Sequence, residues 1–178
     1  MLKKTRLLAL LITVVAVAVA TSLVFADLKA GVKAPSFSLP TLEGKTFTLS
    51  SCFEKPAKPV LMDVWATWCG PCKREIPYLV ELHKNYKDEV VFVGVSVDTD
   101  KEAVKRFVSS AGIKYTIALD PKASRIGSSY EVEGYPTLYL IDKQGVVRYV
   151  HAGFYSDKDA QKREIARLEK EIKELAAE

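Results

Sequence analysis

Val60-Leu61-Met62-Asp63-Val64-Trp65-Ala66-Thr67-Trp68-Cys69-Gly70-Pro71-Cys72 is the stretch that decides how this chain folds. Its first six residues are apolar apart from Asp63, the pattern of a strand covered on both faces, and residues 73–86 then change to helical spacing. The two thiols therefore fall where a buried strand gives way to a helix. At a helix start, unpaired backbone N–H groups and the positive end of the dipole favour a thiolate over a thiol. This makes Cys69 the attacking sulfur and leaves Cys72, one turn inside, to resolve. Residues at i and i+3 of a helical turn have Cα atoms about 5–6 Å apart, a spacing that a disulfide tolerates. Pro71 removes only an N–H that would be unpaired in any case.

The same spacing could serve as half of a zinc site. Zinc needs two further ligands, and the chain offers only Cys52, His83 and His151, none of them in a second CxxC or HxxxH pair. A purely structural bridge is also disfavoured, because so small a loop stabilises little. A redox-active Cys69–Cys72 disulfide, without metal or cofactor, is the reading that remains.

Beyond the thiols, residues 65–72 resemble the active site of a thioredoxin-fold protein, and three more segments narrow the likeness. Gly31-Val32-Lys33-Ala34-Pro35-Ser36-Phe37-Ser38-Leu39-Pro40, Glu75-Ile76-Pro77 and Gly134-Tyr135-Pro136-Thr137-Leu138-Tyr139-Leu140-Ile141-Asp142 are similar to the TlpA/ResA group of extracytoplasmic thiol-disulfide oxidoreductases, with AhpC/TSA and redoxin-like relatives. The likeness covers about residues 29–176. It implies an α/β thioredoxin fold: a mixed central sheet flanked by helices, with an N-terminal extension and a strand-helix insertion. It also implies that Pro136 forms a cis-proline loop opposite the thiols, where the Tyr135 backbone pairs with a substrate chain. Trp68, Gly70, Pro71, Tyr135 and Pro136 are then the substrate-binding residues. Asp63 stands six residues before Cys69, where thioredoxins have a buried acid and many TlpA-like proteins do not. Burial should raise its pKa and let it exchange a proton with Cys72.

The element pattern agrees. Residues 46–49 read as an edge strand, 59–65 as a central one, 89–97 and 114–119 as further strands, and 137–141 with 146–151 as a hairpin across Asp142 to Gly145. Helices are expected at 73–86, at 100–111 closed by Gly112, at 121–130, and from Ser156 or Asp157 to about Ala176. Ile165, Leu168, Ile172 and Leu175 form a seam on the last helix, read as a core-facing stripe. Pro77 should kink the active-site helix. Cys52 is read as buried and inert, His83 as lying on the outer part of its helix, and Glu133 as a solvated charge.

At the N-terminus, Lys3, Lys4 and Arg6 precede an uncharged stretch, 7–24, interrupted only by Thr13, Thr21 and Ser22. This is an export segment, residues 1–26 being a signal peptide or an uncleaved membrane anchor, and 27–178 one exported domain. The whole chain carries +4 and residues 1–26 contribute three cations and no acid, leaving +1 for the domain. So small a charge gives no support for nucleic-acid binding. The expected function is an extracytoplasmic or periplasmic protein-disulfide reductase. Its expected partners are disulfide-bearing exported proteins, apocytochrome c among the family's candidates, and a membrane electron donor. The alternative is a peroxiredoxin-like thiol peroxidase, disfavoured because Ala66 occupies the position where peroxiredoxins carry threonine.

Overall fold

The computed structural model describes residues 30–178; residues 1–26, expected to be an export segment, lie outside them. Two short strands, β1 (Ser38–Pro40) and β2 (Thr46–Thr48), form an antiparallel hairpin with Leu39 opposite Phe47. Next along the chain come β3 (Val60–Trp65), α1 (Gly70–Tyr86), β4 (Val91–Ser96), α2 (Lys101–Ala111), β5 (Thr116–Leu119), β6 (Thr137–Ile141), β7 (Val147–Ala152) and α3 (Lys158–Ala177). The five long strands make one mixed sheet in the order β5-β4-β3-β6-β7, with β3, β4 and β5 parallel and β6 and β7 antiparallel.

All six β3 residues are buried, as expected of a central strand covered on both faces, and this explains its almost unbroken apolar run. α1 and α3 lie side by side: the Tyr78 hydroxyl donates to Gln161 Oε1 at 3.1 Å and that of Tyr86 to Glu169 Oε1 at 2.8 Å. Leu168, Ile172 and Leu175 of α3 are buried and Ile165 is half-buried, so the seam does face the core. α2 starts where the Asp100 carboxylate accepts the N–H groups of Glu102 and Ala103 and ends at left-handed Gly112, φ 68°.

The N-terminal extension covers both edges of the sheet. Leu42 N–H donates to Ile117 O at 2.8 Å beside β5, while Gly31 N–H donates to Val147 O at 2.7 Å beside β7. Strand edges left bare would be templates for association.

One expected helix is absent. Residues 121–130 hold only a short 3-10 turn, Pro121–Ala123, because Lys122 and Ala123 adopt positive φ. The buried Asp120 carboxylate organises the segment after that turn, accepting from the Arg125 and Ile126 N–H groups and the Ser124 hydroxyl. His83 also departs from expectation: it packs edge-on against Phe92 and Tyr115, with ring centroids 5.3 and 5.6 Å away.

Candidate functional site

β3 leaves the sheet at Trp65, and the loop beyond is pinned before the helix begins. Asp98, just past β4, accepts the Thr67 N–H at 2.9 Å, the Thr67 hydroxyl at 2.6 Å and the Ser96 hydroxyl at 2.9 Å. This anchor escapes sequence reasoning because its partners are 31 residues apart. It fixes where α1 starts. Cys69 is the N-cap, its Sγ accepting the Cys72 N–H at 3.1 Å, and Pro71 occupies the first turn.

Cys69 and Cys72 form a disulfide with Cα atoms 5.3 Å apart. Both are largely covered, Cys69 with 5% of its surface exposed and Cys72 with none, so the outer sulfur is the one a partner reaches. A Cβ at Gly70 would meet only Arg74, at 3.8 Å, which leaves the outside of the CGPC turn open for approach. Trp68 is 66% exposed, and its ring stands edge-to-face on Tyr135 at 5.7 Å. The Tyr135–Pro136 peptide is cis, and Gly153 N–H donates to Pro136 O at 2.8 Å, tying the loop after β7 to the same place. Of the residues expected from sequence, Trp68, Gly70 and Pro71 adjoin the disulfide along the chain, and the Trp68–Tyr135 contact links the Tyr135–Pro136 loop to them. Tyr155, 54% exposed, extends this surface: its carbonyl accepts from Arg74 Nε at 3.4 Å.

Two carboxyls lie beneath. Asp63 is buried in β3, and burial pushes its pKa from 3.8 up to about 7. Glu75 is the residue that sequence reasoning did not single out as functional. It lies on the inward face of α1 with Cys72, Ile76, Leu79 and Leu82, a spacing that already placed it inside. Burial, followed by the Asp63 and Glu164 charges, holds its carboxyl well above the usual range. A carboxyl that titrates near neutrality can take a proton from a thiol and return it, so this is acid-base equipment set behind a dithiol.

The remaining residues lie elsewhere. Cys52 is a free thiol in the turn Leu49–Phe53, half-buried, its pKa raised chiefly by that burial. Glu133 is exposed. His151 is buried between α3 carboxylates, Nδ1 lying 2.5 Å from Glu164 and Nε2 2.7 Å from Glu171.

Residues 29–168 match the Redoxin family model. The chain is 35% identical over 136 residues to the thioredoxin-like protein YneN of Bacillus subtilis, covering 75% of this chain and 77% of that one. It is 39% identical over 127 residues to the thiol-disulfide oxidoreductase ResA of Bacillus thuringiensis, covering 69% and 71%. Among solved structures it is similar to a thiol:disulfide interchange protein of the thioredoxin family from Chlorobium tepidum, with 30% identity and TM-score 0.67 over 85% of this chain and 99% of that one. With a thioredoxin-like mixed sheet, a CGPC disulfide at the head of α1 and these relatives, the chain belongs to the Redoxin family and is a thiol-disulfide oxidoreductase of the thioredoxin superfamily.

Proposed function

We propose that this protein reduces disulfides of exported proteins outside the cytoplasm. The observation that carries the reading is the Cys69–Cys72 disulfide at the start of α1, beside the exposed Trp68 and the Tyr135–Pro136 loop. In the reduced protein the Cys69 thiolate attacks a substrate disulfide, breaking its S–S bond and releasing one thiolate. Cys72 gives its proton to Asp63 or Glu75 and attacks Cys69 Sγ, which closes the enzyme disulfide and frees the second substrate sulfur. Two electrons pass from the dithiol to the substrate. Trp68 and Tyr135 supply the apolar platform, and the open backbone at Gly70 and Tyr135 receives the polypeptide.

The direction rests on Gly70-Pro71, the dipeptide that thioredoxin carries between its cysteines. Thioredoxin's potential, near −270 mV, is that of a reductant, whereas strong oxidants of this fold lie near −120 mV. The basic, then apolar, pattern of residues 1–26 supports a domain exported from the cytoplasm, where a membrane protein must deliver the electrons. The cysteine pair of an apocytochrome c is one substrate that the family resemblance offers. Peroxide chemistry has less support: three residues before Cys69 stands Ala66, and the neighbouring Thr67 hydroxyl is committed to Asp98.

Equilibration with glutathione, read by thiol trapping, tests the direction. A potential below roughly −220 mV is expected, and one above roughly −180 mV, the range of disulfide isomerases, overturns it. Peroxide consumption outpacing insulin reduction would instead establish the peroxidase.

A further inference from the structure

Five buried side-chain polar atoms have no hydrogen-bond partner among the described residues: both oxygens of Asp63, Trp65 Nε1, Glu75 Oε2 and the Tyr115 hydroxyl. They are not scattered. Asp63 and Trp65 are two apart on β3 and so point to one face of the sheet. Asp63 is in register with Gly94 on β4, and Gly94 with Ile117 on β5, so the three share a row. Trp65 Nε1 lies 2.8 Å, and the Tyr115 ring 3.3 Å, from the point where a Gly94 Cβ would stand. Gly94 therefore lets the indole and the phenol lie against the backbone beside Asp63. Glu75 comes down from α1 onto the same face, close enough to Asp63 for the charges to be felt, and Tyr115 is within electrostatic range of both carboxyls.

The chemistry of the set is complementary. Trp65 N–H and Tyr115 O–H are donors, and the two carboxyls are acceptors. Native cores rarely leave such groups unpaired, and internal water with about three polar partners is the usual means of satisfying them. We propose that Asp63, Trp65, Glu75 and Tyr115 enclose an internal water site behind the dithiol, and that Tyr115 is the positioning residue orienting this water toward the carboxyls.

Tyr115 is also among the residues that line a cleft of about 320 Å³, together with Thr41, Lys45, Lys114 and Thr116. This gives the site a use. While the mixed disulfide exists, the thiol face is covered by substrate, yet the carboxyl that took the Cys72 proton has to release it before the next cycle. The internal water takes that proton toward the β5 side as it exchanges with solvent in the cleft. The inference rests on the dithiol-exchange reading for its purpose, but the water site itself does not. The titratable groups within electrostatic range of the carboxyls are Asp63 and Glu75 for one another, Glu164 on α3, and Tyr115 before β5; His83 on α1 packs on the Tyr115 ring, and Glu43, Lys45 and Lys114 stand at the cleft.

Tyr115→Phe tests the proposal through readouts that need no turnover. A hydroxyl with no partner would be better removed, so the variant would melt higher; a hydroxyl holding water gives a lower melting temperature. Losing a donor from the carboxylate network should raise the Asp63 titration midpoint, followed by carboxyl NMR in the oxidised protein, by at least about half a pH unit, a threefold change in the proton equilibrium. Trp65→Phe, which removes the second donor, should move it the same way. In the wild type, an atomic-resolution crystal structure should show an ordered oxygen within hydrogen-bond reach of Tyr115 Oη. A dry site, a raised melting temperature or an unmoved midpoint overturns the proposal. A protein that shows the water and the shift but does not exchange disulfides overturns the functional reading alone.

Discussion

The Cys72 backbone N–H points at Cys69 Sγ from 3.1 Å, so the first turn of α1 solvates one sulfur of the pair and not the other. In the reduced protein that N–H, with the helix start behind it, stabilises a thiolate on Cys69. Cys72 sits one turn deeper with no exposed surface. Brief alkylation of the reduced protein should therefore modify Cys69 first, as peptide mass mapping would read. Cys72→Ser should accumulate mixed disulfides with substrates, and Cys69→Ser should accumulate none. Preferential labelling of Cys72 would reverse the assignment.

Asp63 makes stability depend on pH in a direction opposite to that of a salt-bridged carboxylate. Its pKa is 3.8 in the ordinary state and about 7 when folded. Below about pH 4 the group is protonated in both states and costs nothing. Between 4 and 7 the unfolded chain ionises first, so stability falls as pH rises, and above 7 the loss is complete. The difference corresponds to about 4 kcal/mol as an upper bound, at 1.36 kcal/mol per unit. Asp63→Asn, close in shape to the protonated acid, should unfold at higher denaturant than the wild type at pH 8 and near the same concentration at pH 4. Slower closure of the mixed disulfide should accompany it. A wild-type midpoint that does not fall between pH 4 and 8 would show that Asp63 ionises freely.

What was legible in the sequence was local. The run from Val60 to Cys72 showed a strand, a loop and a helix start, because burial on both faces and a CxxC leave direct marks on residue type. Asp142 likewise announced its turn, accepting the N–H groups of Gln144 and Val146. What was missed depends on distant partners. The helix expected at 121–130 gives way to turns organised by one buried carboxylate, that of Asp120. The spacing of Glu75 put it on the inner face of α1, but its neighbour Asp63 lies on a strand brought beneath it only by the fold. β1, three residues ending in proline, is too short to show a period.

His151 should be a structural clamp. It bridges Glu164 and Glu171 of α3 to β7, with Arg167 Nε 3.1 Å from Glu171. His151→Ala would leave two largely buried carboxylates facing a hole, with only the more exposed Arg167 still pairing them, at a cost of about 3 kcal/mol. Thermal unfolding should show a clear loss, while the reduced protein's reaction with a small aromatic disulfide stays near wild type because the clamp lies outside the dithiol turn. A change below about 0.5 kcal/mol would mean that α3 is held by its apolar seam alone.

Trp68 should matter for large substrates and hardly at all for the fold. With 66% of its surface exposed it contributes little to the core, and its contact with Tyr135 holds the indole as an edge-to-face platform beside the Cys69 approach. A polypeptide docking there buries both rings; a small disulfide reaches Cys69 without doing so. Trp68→Ala should therefore lower kcat/KM for a protein disulfide about tenfold, roughly 1.4 kcal/mol, mainly through KM, and change the rate with a small disulfide less than about twofold. Equal losses on both substrates would place Trp68 in tuning the thiol rather than in docking.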